Sequence, residues 1–321
     1  MNKVKLSKNT LKTKTEIMIL IIIVAFFAFL LIATPNFKDQ DNLMNILRQG
    51  SINGVIAIAA TIVIISGGID LSLGAITGLA AMVVALMMKA GHSIGVSFIV
   101  AIAIGTLFGV YNGILIFETK IAPFIATLGT MTIVRGIVKL ISDAKTITGF
   151  PDEFVGFAQT NVGGFLPALS IIWIAVCFVT FWVLKYTRFG RNVYVIGTGG
   201  EVAKLSGINT RINTYGVYIY SAVLCSIAGI MLTSRVSSAV PTGGQGYEMN
   251  AIAAAVIGGA SLAGARGTVL GTFLGTLLIT LINNGGIHLK IDPFVMEVVT
   301  GIIITLAVVL DQVRNKSESK A

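Results

Sequence analysis

Long apolar runs separated by short polar breaks occupy most of this 321-residue sequence. A helix crosses the hydrocarbon core of a bilayer with about 20 mostly apolar residues, and in lipid only helices and closed barrels pair all their backbone polar groups. The chain is therefore predicted to be an all-α integral membrane protein with about ten transmembrane helices. The eighth run is short for a full span and can also be re-entrant. The ten runs cover residues 17–33, 51–66, 71–88, 94–117, 121–142, 166–184, 213–234, 249–263, 268–286 and 293–310.

Composition excludes a soluble globular domain. The chain is 55% hydrophobic and only 12% charged, whereas soluble domains are about 25% charged. Its two cysteines, Cys177 and Cys225, lie inside apolar runs, which favours packing over a disulfide framework or a metal cluster. The sequence has no G-x-x-x-x-G-K-[ST] phosphate loop and no H-E-x-x-H motif. We therefore assign no catalytic or metal-ligating residue, and any ATP hydrolysis must belong to another subunit.

The distribution of basic residues predicts the orientation of the chain. The net charge is +9. In a membrane protein the distribution of these basic residues indicates which loops face the cytoplasm, and it does not indicate nucleic-acid binding. With the N-terminus placed in the cytoplasm, the inner loops hold 15 lysines and arginines and the outer loops hold 6. Both termini are therefore predicted to be cytoplasmic. The organisation that follows is a basic segment 1–16, a transmembrane domain 17–310 and a tail 311–321.

Glycines recur inside the apolar runs, where they permit close contact between helix backbones. Gly267, Gly271 and Gly275 recur every four residues and predict a smooth helix face that packs within the subunit or at a dimer interface. A weak echo between residues 67–72 (GGIDLS) and 258–263 (GGASLA) leaves an internal duplication open.

The longest predicted inner loop, residues 185–212, contains a short helical pattern between glycines. Residues 200–206 favour a helix, with Gly207 as its stop. Such a helix can dock on a partner protein. The loop can equally rest on anionic lipid headgroups through Lys185, Arg188 and Arg191. The residues alone do not decide between the two.

Several polar residues lie in or beside the apolar runs. Asp70 is interpreted as the N-cap of the third helix, with a gate residue as the alternative. Arg135 and Glu297 lie within predicted spans, where charges usually face the protein interior or a water-filled cavity, and their mutual pairing is left open. Asn283 and Asn284 can hydrogen-bond a polar solute or cap a helix.

Seven stretches of the sequence resemble the permease subunits of bacterial ABC importers for ribose and related monosaccharides. Together they cover the chain almost from end to end, and they are specific for this family. The stretches are TPNF (34–37), NLMNILRQ (42–49), SGGIDLSLGA (66–75), PFIATLGTM (123–131), TRFGRNVYVIGTGGEVAKLSGIN (187–209), RVSSAVPTGGQGYEMNAIAAAVIGGASLAGARGT (235–268) and NNGG (283–286).

The resemblance implies an importer in the bacterial inner membrane that brings a monosaccharide, ribose first among them, into the cytoplasm. It implies a fold similar to the vitamin B12 importer permease, a second permease copy forming a homodimer, and an extracytoplasmic sugar-binding protein. It also implies a separate ABC ATPase that binds ATP and Mg, so this chain is expected to hold no cofactor. Contact with that ATPase would involve Arg191, Glu201, Ala203, Leu205, Ser206 and Gly207.

Two other classes of function have weaker support in the sequence. A secondary transporter driven by an ion gradient needs carboxylates near the bilayer midplane, and Glu297 is the best single candidate. A membrane-embedded enzyme is disfavoured because no nucleophile and base constellation was identified in the sequence. Asp70, Asn283 and Asn284 are the candidate pathway or gate residues of an importer.

Overall fold

The computed structural model describes the backbone of residues 2–319 and the side chains of residues 15–313. Helices dominate it, and the strands are two-residue pairs. The helices are α1 (Asn2–Ala33), α2 (Gln40–Ile65), α3 (Leu73–Lys89), α4 (Ile94–Phe117), α5 (Pro123–Ile141), α6 (Asp152–Gln159), α7 (Ala168–Tyr186), α8 (Arg188–Thr198), α9 (Gly200–Leu205), α10 (Thr210–Val236), α11 (Tyr247–Ile257), α12 (Val269–His288) and α13 (Pro293–Ser319). The strands are β1 (Ile147–Thr148), β2 (Asn161–Val162), β3 (Leu166–Pro167) and β4 (Ser238–Ala239).

Each of the ten predicted apolar runs contains a helix, so the all-α membrane prediction is confirmed. Within residues 15–313, eight helices are long and apolar enough to cross a bilayer. The two others are shorter: α3 has 17 residues and α11 has 11. The eighth run is thus short, as its sequence indicated. The predicted start of the second run at residue 51 is too late, because the polar turns from Gln40 onward also belong to α2.

Helix α2 forms the centre of the core. Every residue from Gly50 to Ile65 is buried, and the helix packs against α7, α10, α11 and α12. A helix that is apolar all round is expected to be surrounded by other helices rather than by lipid alone. Trp173 of α7 fills the space beside Gly54, where an added Cβ would lie 2.2 Å from the indole, and it stacks on Phe273 of α12 with ring centroids 4.3 Å apart.

Backbone contacts at glycines hold α10 against its other neighbours, α3 and α4. A Cβ at Gly109 of α4 would lie 2.6 Å from the carbonyl oxygen of Tyr218. A Cβ at Gly229 of α10 would lie 2.3 Å from the carbonyl oxygen of Thr77. Lipid tails are as apolar as the side chains, so van der Waals contact of this kind is a main source of helix association in a membrane.

The glycines at the start of α12 face α11 of the same chain. A Cβ at Gly271 would lie 1.9 Å from the carbonyl oxygen of Gly258, and one at Gly275 would lie 2.0 Å from that of Ala254. Gly267 is not part of the helix face: it precedes α12 with φ +154° and packs against Ile65. In this structure the smooth face therefore packs within the subunit.

The two ends of the helix bundle contain different short elements. At one, which we call the α8–α9 end, the Ala265 amide donates to the carbonyl of Ile65 at 2.8 Å, joining the end of α2 to the loop before α12. At the other, the α6 end, β1 pairs with β4 in antiparallel register. The Ser234 hydroxyl there donates to the carbonyl of Phe154 in α6 at 2.5 Å.

Replacing Gly275 by valine is expected to destabilise the protein, because the new Cβ would meet a backbone oxygen that cannot move without separating α11 from α12. Overpacking of this kind costs about 1–3 kcal/mol or more. The apparent melting temperature in detergent should fall by several degrees, as measured by size-exclusion chromatography after heating.

The matched control is Gly136→Val on α5, where an added Cβ meets no atom within 4 Å. It should melt close to the wild type. Equal melting of the two variants would contradict the tight α11–α12 contact.

Candidate functional site

The predicted short helix lies at the α8–α9 end, between two glycine turns. The Thr187 hydroxyl caps α8 by accepting from the Gly190 amide at 3.1 Å. Gly199, with φ +143°, separates α8 from α9. Gly207, with φ +72°, follows α9 and its amide donates to the carbonyl of Lys204 at 2.9 Å. Both breaks use backbone conformations that favour glycine.

The side chains of α9 divide into an anchor and an exposed face. Ala203 is fully buried, so it seats the helix and does not reach a partner directly. Leu205 is 90% exposed and Val202 is 51% exposed. Glu201 and Ser206 are exposed beside them. The apolar, solvent-facing Leu205 is typical of a side chain that inserts into a partner's cleft.

Arg191 and Gly207 complete the set of residues assigned to coupling. Both are exposed, and the Arg191 guanidinium donates to the carbonyl of Tyr186 at 3.4 Å. Of the assigned set, Ala203 is the buried member, and a helix period of 3.6 residues explains why it faces away from Leu205.

Helix α8 is wedged between the ends of membrane helices. A Cβ at Gly197 would lie 2.0 Å from the carbonyl oxygen of Ile65, the last residue of α2. The Tyr194 hydroxyl donates to the carbonyl of Gly267, just before α12, at 2.9 Å. Burial raises the pKa of the Tyr194 phenol, so it stays protonated and keeps donating at neutral pH. A shift of α8 must therefore displace α2 and the loop before α12.

Asp70 belongs to a buried hydrogen-bond chain that joins α3, α4 and α5. Its Oδ1 accepts from the Ser72 amide at 2.8 Å and from the Ser72 hydroxyl at 2.5 Å. The Ser72 hydroxyl accepts from the Asn112 amide at 2.9 Å, and Asn112 Oδ1 accepts from Thr130 at 2.6 Å. Ser72, not Asp70, occupies the N-cap position of α3, so the prediction that Asp70 is the N-cap of this helix is wrong. A gate role for Asp70 stays a prediction.

Arg135 pairs with Glu248 rather than with Glu297. Its Nη1 donates to the carbonyl of Gly243 at 2.7 Å, and its Nη2 lies 3.8 Å from the Oε2 of Glu248. The glycine at position 74 of α3 leaves room for this carboxylate, because a Cβ there would lie 2.0 Å from Oε2. Sequence reasoning missed Glu248, whose only local signal is a carboxylate at the start of an apolar run.

A polar groove of about 780 Å³ opens between α11, α12 and α13. Side chains and backbone of all three helices, and of the loop before α11, line it. The lining residues are Thr242, Gln245, Gly246, Met249, Asn250, Asn283, Pro293, Met296, Glu297, Thr300, Gly301 and Ile304. The groove contains Glu297, one of the intramembrane charges that the sequence singles out.

The two neighbouring asparagines of α12 have different surroundings. Asn283 is half-buried and lines the groove. Asn284 is buried, and its amide donates to Asn42 of α2 at 2.8 Å. Residues adjacent in a helix project about 100° apart, so one faces the groove and the other clamps α12 to α2.

No alternative chemistry emerges from the described residues. Among residues 15–313, no group of three or more His, Cys, Asp and Glu side chains can hold a metal ion. Residues 91–95 match the pattern G-x-S-x-G, which in hydrolases places a serine between a strand and a helix. Here the pattern lies in the turn between α3 and α4, and Ser93 is the N-cap of α4. It is a helix boundary and not a nucleophile.

Three relatives found by comparison with known proteins are named as sugar import permeases. The ribose import permease protein RbsC of Bacillus subtilis is 43% identical over 300 residues, covering 92% of this chain and 90% of the relative. RbsC of Haemophilus influenzae is 39% identical over 295 residues, covering 91% and 90%. The galactose/methyl galactoside import permease protein MglC of Escherichia coli is 37% identical over 316 residues, covering 92% and 94%. No solved structure matches the chain.

The family comparison covers most of the chain. A family described as the permease component of the branched-chain amino acid transport system matches residues 42–308, from the first turn of α2 to the middle of α13. The relatives and the eight long apolar helices agree on a multi-pass membrane protein of the inner membrane. The chain therefore belongs to this family of transport-system permease components.

Proposed function

We propose that the chain is the transmembrane permease subunit of an ATP-driven ABC importer that moves a monosaccharide, ribose, into the cytoplasm. The observation that carries the proposal is 43% identity to a ribose import permease over 92% of the chain. Relatives named for ribose are 35% to 43% identical and those named for galactose are 36% to 37% identical, so the two ranges overlap and the identities above 37% belong to ribose-named relatives. Ribose is therefore the first sugar to test and galactose the second.

The partner that supplies energy is a separate ATPase, which binds ATP and Mg and docks at the α8–α9 end. The exposed Leu205 and Val202 on α9, seated by the buried Ala203, support this docking surface. An extracytoplasmic sugar-binding protein would deliver the sugar at the α6 end. A second copy of the chain would complete the importer, in a fold similar to the vitamin B12 importer permease.

The orientation follows from the basic residues. The α8–α9 end is proposed to be cytoplasmic, with both termini on that side, because 15 of the chain's 23 lysines and arginines fall in inner loops on this assignment. Five of those lysines precede residue 15, and the tail after residue 313 holds others. Their side chains lie outside the described residues.

The mechanism couples the docking surface to the membrane helices. ATP-driven closure of the ATPase pair would displace α9 and α8. The contacts of Gly197 with Ile65 and of Tyr194 with Gly267 would pass that movement to α2 and α12. The cavity would then open outward to accept sugar, and hydrolysis would reset it inward. The pathway binds sugar weakly, since a tight site would slow release.

A second candidate is a transporter driven by an ion gradient, favoured by the position of Glu297 in the groove. The two functions differ in what they require. An ABC importer needs the ATPase and the binding protein, whereas a gradient-driven transporter works alone.

Uptake of labelled ribose into proteoliposomes is expected to require ATP, the ATPase and the sugar-binding protein together with this chain. Unlabelled ribose should compete better than galactose. Uptake by the chain alone along an imposed proton gradient would contradict the proposal and favour the second candidate.

Replacing Leu205 by aspartate is expected to weaken docking of the ATPase about tenfold, because a charged side chain would enter an apolar cleft on the partner. Co-purification of the ATPase with the permease measures this directly. ATP-dependent uptake should fall in parallel, while the variant stays monodisperse in detergent.

The matched control is Val162→Asp, an exposed apolar residue in β2 at the opposite end. It should leave ATPase binding unchanged. Undiminished co-purification of the Leu205 variant would exclude α9 as the docking element.

A further inference from the structure

We propose that the groove between α11, α12 and α13 is the segment of the pathway that hydrogen-bonds the sugar, through Asn250, Asn283, Glu297 and Thr300. The inference rests on the proposed function and deepens it by naming the contact residues. The groove volume of about 780 Å³ lies within the range of roughly 300–1,000 Å³ typical of small-molecule sites.

Helix α13 presents to the groove one face that carries two polar residues, Glu297 and Thr300. Met296, Glu297, Thr300, Gly301 and Ile304 recur at intervals that place them on one side of a helix. The remaining residues of this span are strongly apolar and largely exposed. A carboxylate on such a helix is costly unless it meets water, a cation or a polar ligand. Glu297 is exposed and forms no ion pair among the described residues, so its partner would be water, a free cation or a polar ligand.

Asn250 provides an independent observation on the opposite wall. It lies in the first turn of α11 and lines the groove. Its Oδ1 is buried and has no hydrogen-bond partner among the described residues. Buried amide oxygens are normally paired, so this one indicates a missing donor. Because Oδ1 is enclosed by neighbouring atoms, the Asn250 side chain has to turn for this oxygen to accept from a sugar hydroxyl in the groove.

Both walls have contacts to other helices behind them. Next to Asn250, Glu248 points away from the groove towards Arg135 and Gly74, which anchors the start of α11 on α5 and α3. Next to Asn283, the Asn284–Asn42 pair fixes α12 to α2. A site whose contact residues are fixed by a supporting shell loses less entropy on binding.

The chemistry of the lining fits a monosaccharide. Every sugar hydroxyl can donate and accept, the Glu297 carboxylate accepts, and the two asparagine amides do both. Met249, Met296 and Ile304 provide apolar surface for the C–H face of the ring. The few polar groups and the open side of the groove suit weak, reversible contact.

The test uses the complete importer with its ATPase and binding protein. Glu297→Leu and Asn250→Leu are each expected to lower the rate of ATP-dependent ribose uptake about tenfold, which corresponds to losing one or two sugar hydrogen bonds. Thr300→Val should lower it severalfold. ATPase activity stimulated by the ribose-loaded binding protein should stay near the wild-type value, because docking and coupling are untouched.

The matched control is Thr305→Val on the same helix. Thr300 and Thr305 both donate to a carbonyl four residues earlier, at 2.8 and 2.9 Å, but Thr305 does not line the groove. Thr305→Val should transport ribose at the wild-type rate. Normal uptake by all three groove variants, or equal losses in the two threonine variants, would overturn the proposal.

A second measurement does not depend on transport. In a chain carrying Cys177→Ser and Cys225→Ser, a water-soluble thiol reagent should label Asn250→Cys and leave Ala255→Cys unlabelled, because Ala255 is fully buried on the same helix. An unreactive Asn250→Cys would overturn the groove as a water-filled path.

The outcomes separate this proposal from the proposed function. Failure of the wild-type complex to take up ribose with ATP would reject the function and, with it, the ligand of the groove. Normal wild-type uptake with unaffected groove variants rejects the groove alone. ATP-independent uptake that Glu297→Leu abolishes would overturn both in favour of ion coupling.

Discussion

Close contact between helix backbones at glycines is the interaction on which the rest of this structure depends. Apolar side chains gain little by leaving lipid for one another, so helices associate where their surfaces fit closely. Gly275 against Ala254 and Gly109 against Tyr218 are such contacts. They bring α2, α10 and α11 together with their neighbours, and the volume enclosed by these helices holds non-helical backbone and charged groups away from lipid.

Three irregular segments adjoin these helices, and in each the protein pairs a polar group. In residues 66–72 the Asp70 carboxylate accepts from the Ser72 amide. In residues 240–246 the Gly243 carbonyl accepts from Arg135. In residues 258–268 the Ala265 amide donates to Ile65. Such breaks are tolerated only where protein or water replaces lipid. They also explain why α3 and α11 are too short to span a bilayer by themselves.

Local sequence patterns predict the membrane helices and the short helix α9. Both depend on apolar runs and glycines that lie within a few residues of one another. Three features depend on contacts between distant parts of the chain and cannot be predicted from local sequence patterns. The polar start of α2 packs on a distant helix, where Asn42 accepts from Asn284. Arg135 pairs with Glu248, which precedes an apolar run, and not with Glu297, which lies inside one. Asn283 and Asn284 look equivalent in sequence, and only the position of the groove separates them.

Helix α11 lies between the two proposed sites, the docking surface at the α8–α9 end and the groove. Its 11 residues form a rod of about 16 Å. The loop that follows it contacts α8 through Gly264 and Gly197, where a Cβ at Gly264 would lie 2.5 Å from the Gly197 carbonyl oxygen. At its other end, Asn250 faces the groove and Glu248 is held by Arg135. A stiff element fixed by close contacts at both ends transmits displacement rather than absorbing it. In the proposed mechanism, a displacement of α8 would therefore reach Asn250 through one short helix, and the Arg135–Glu248 pair lies at the end of that path.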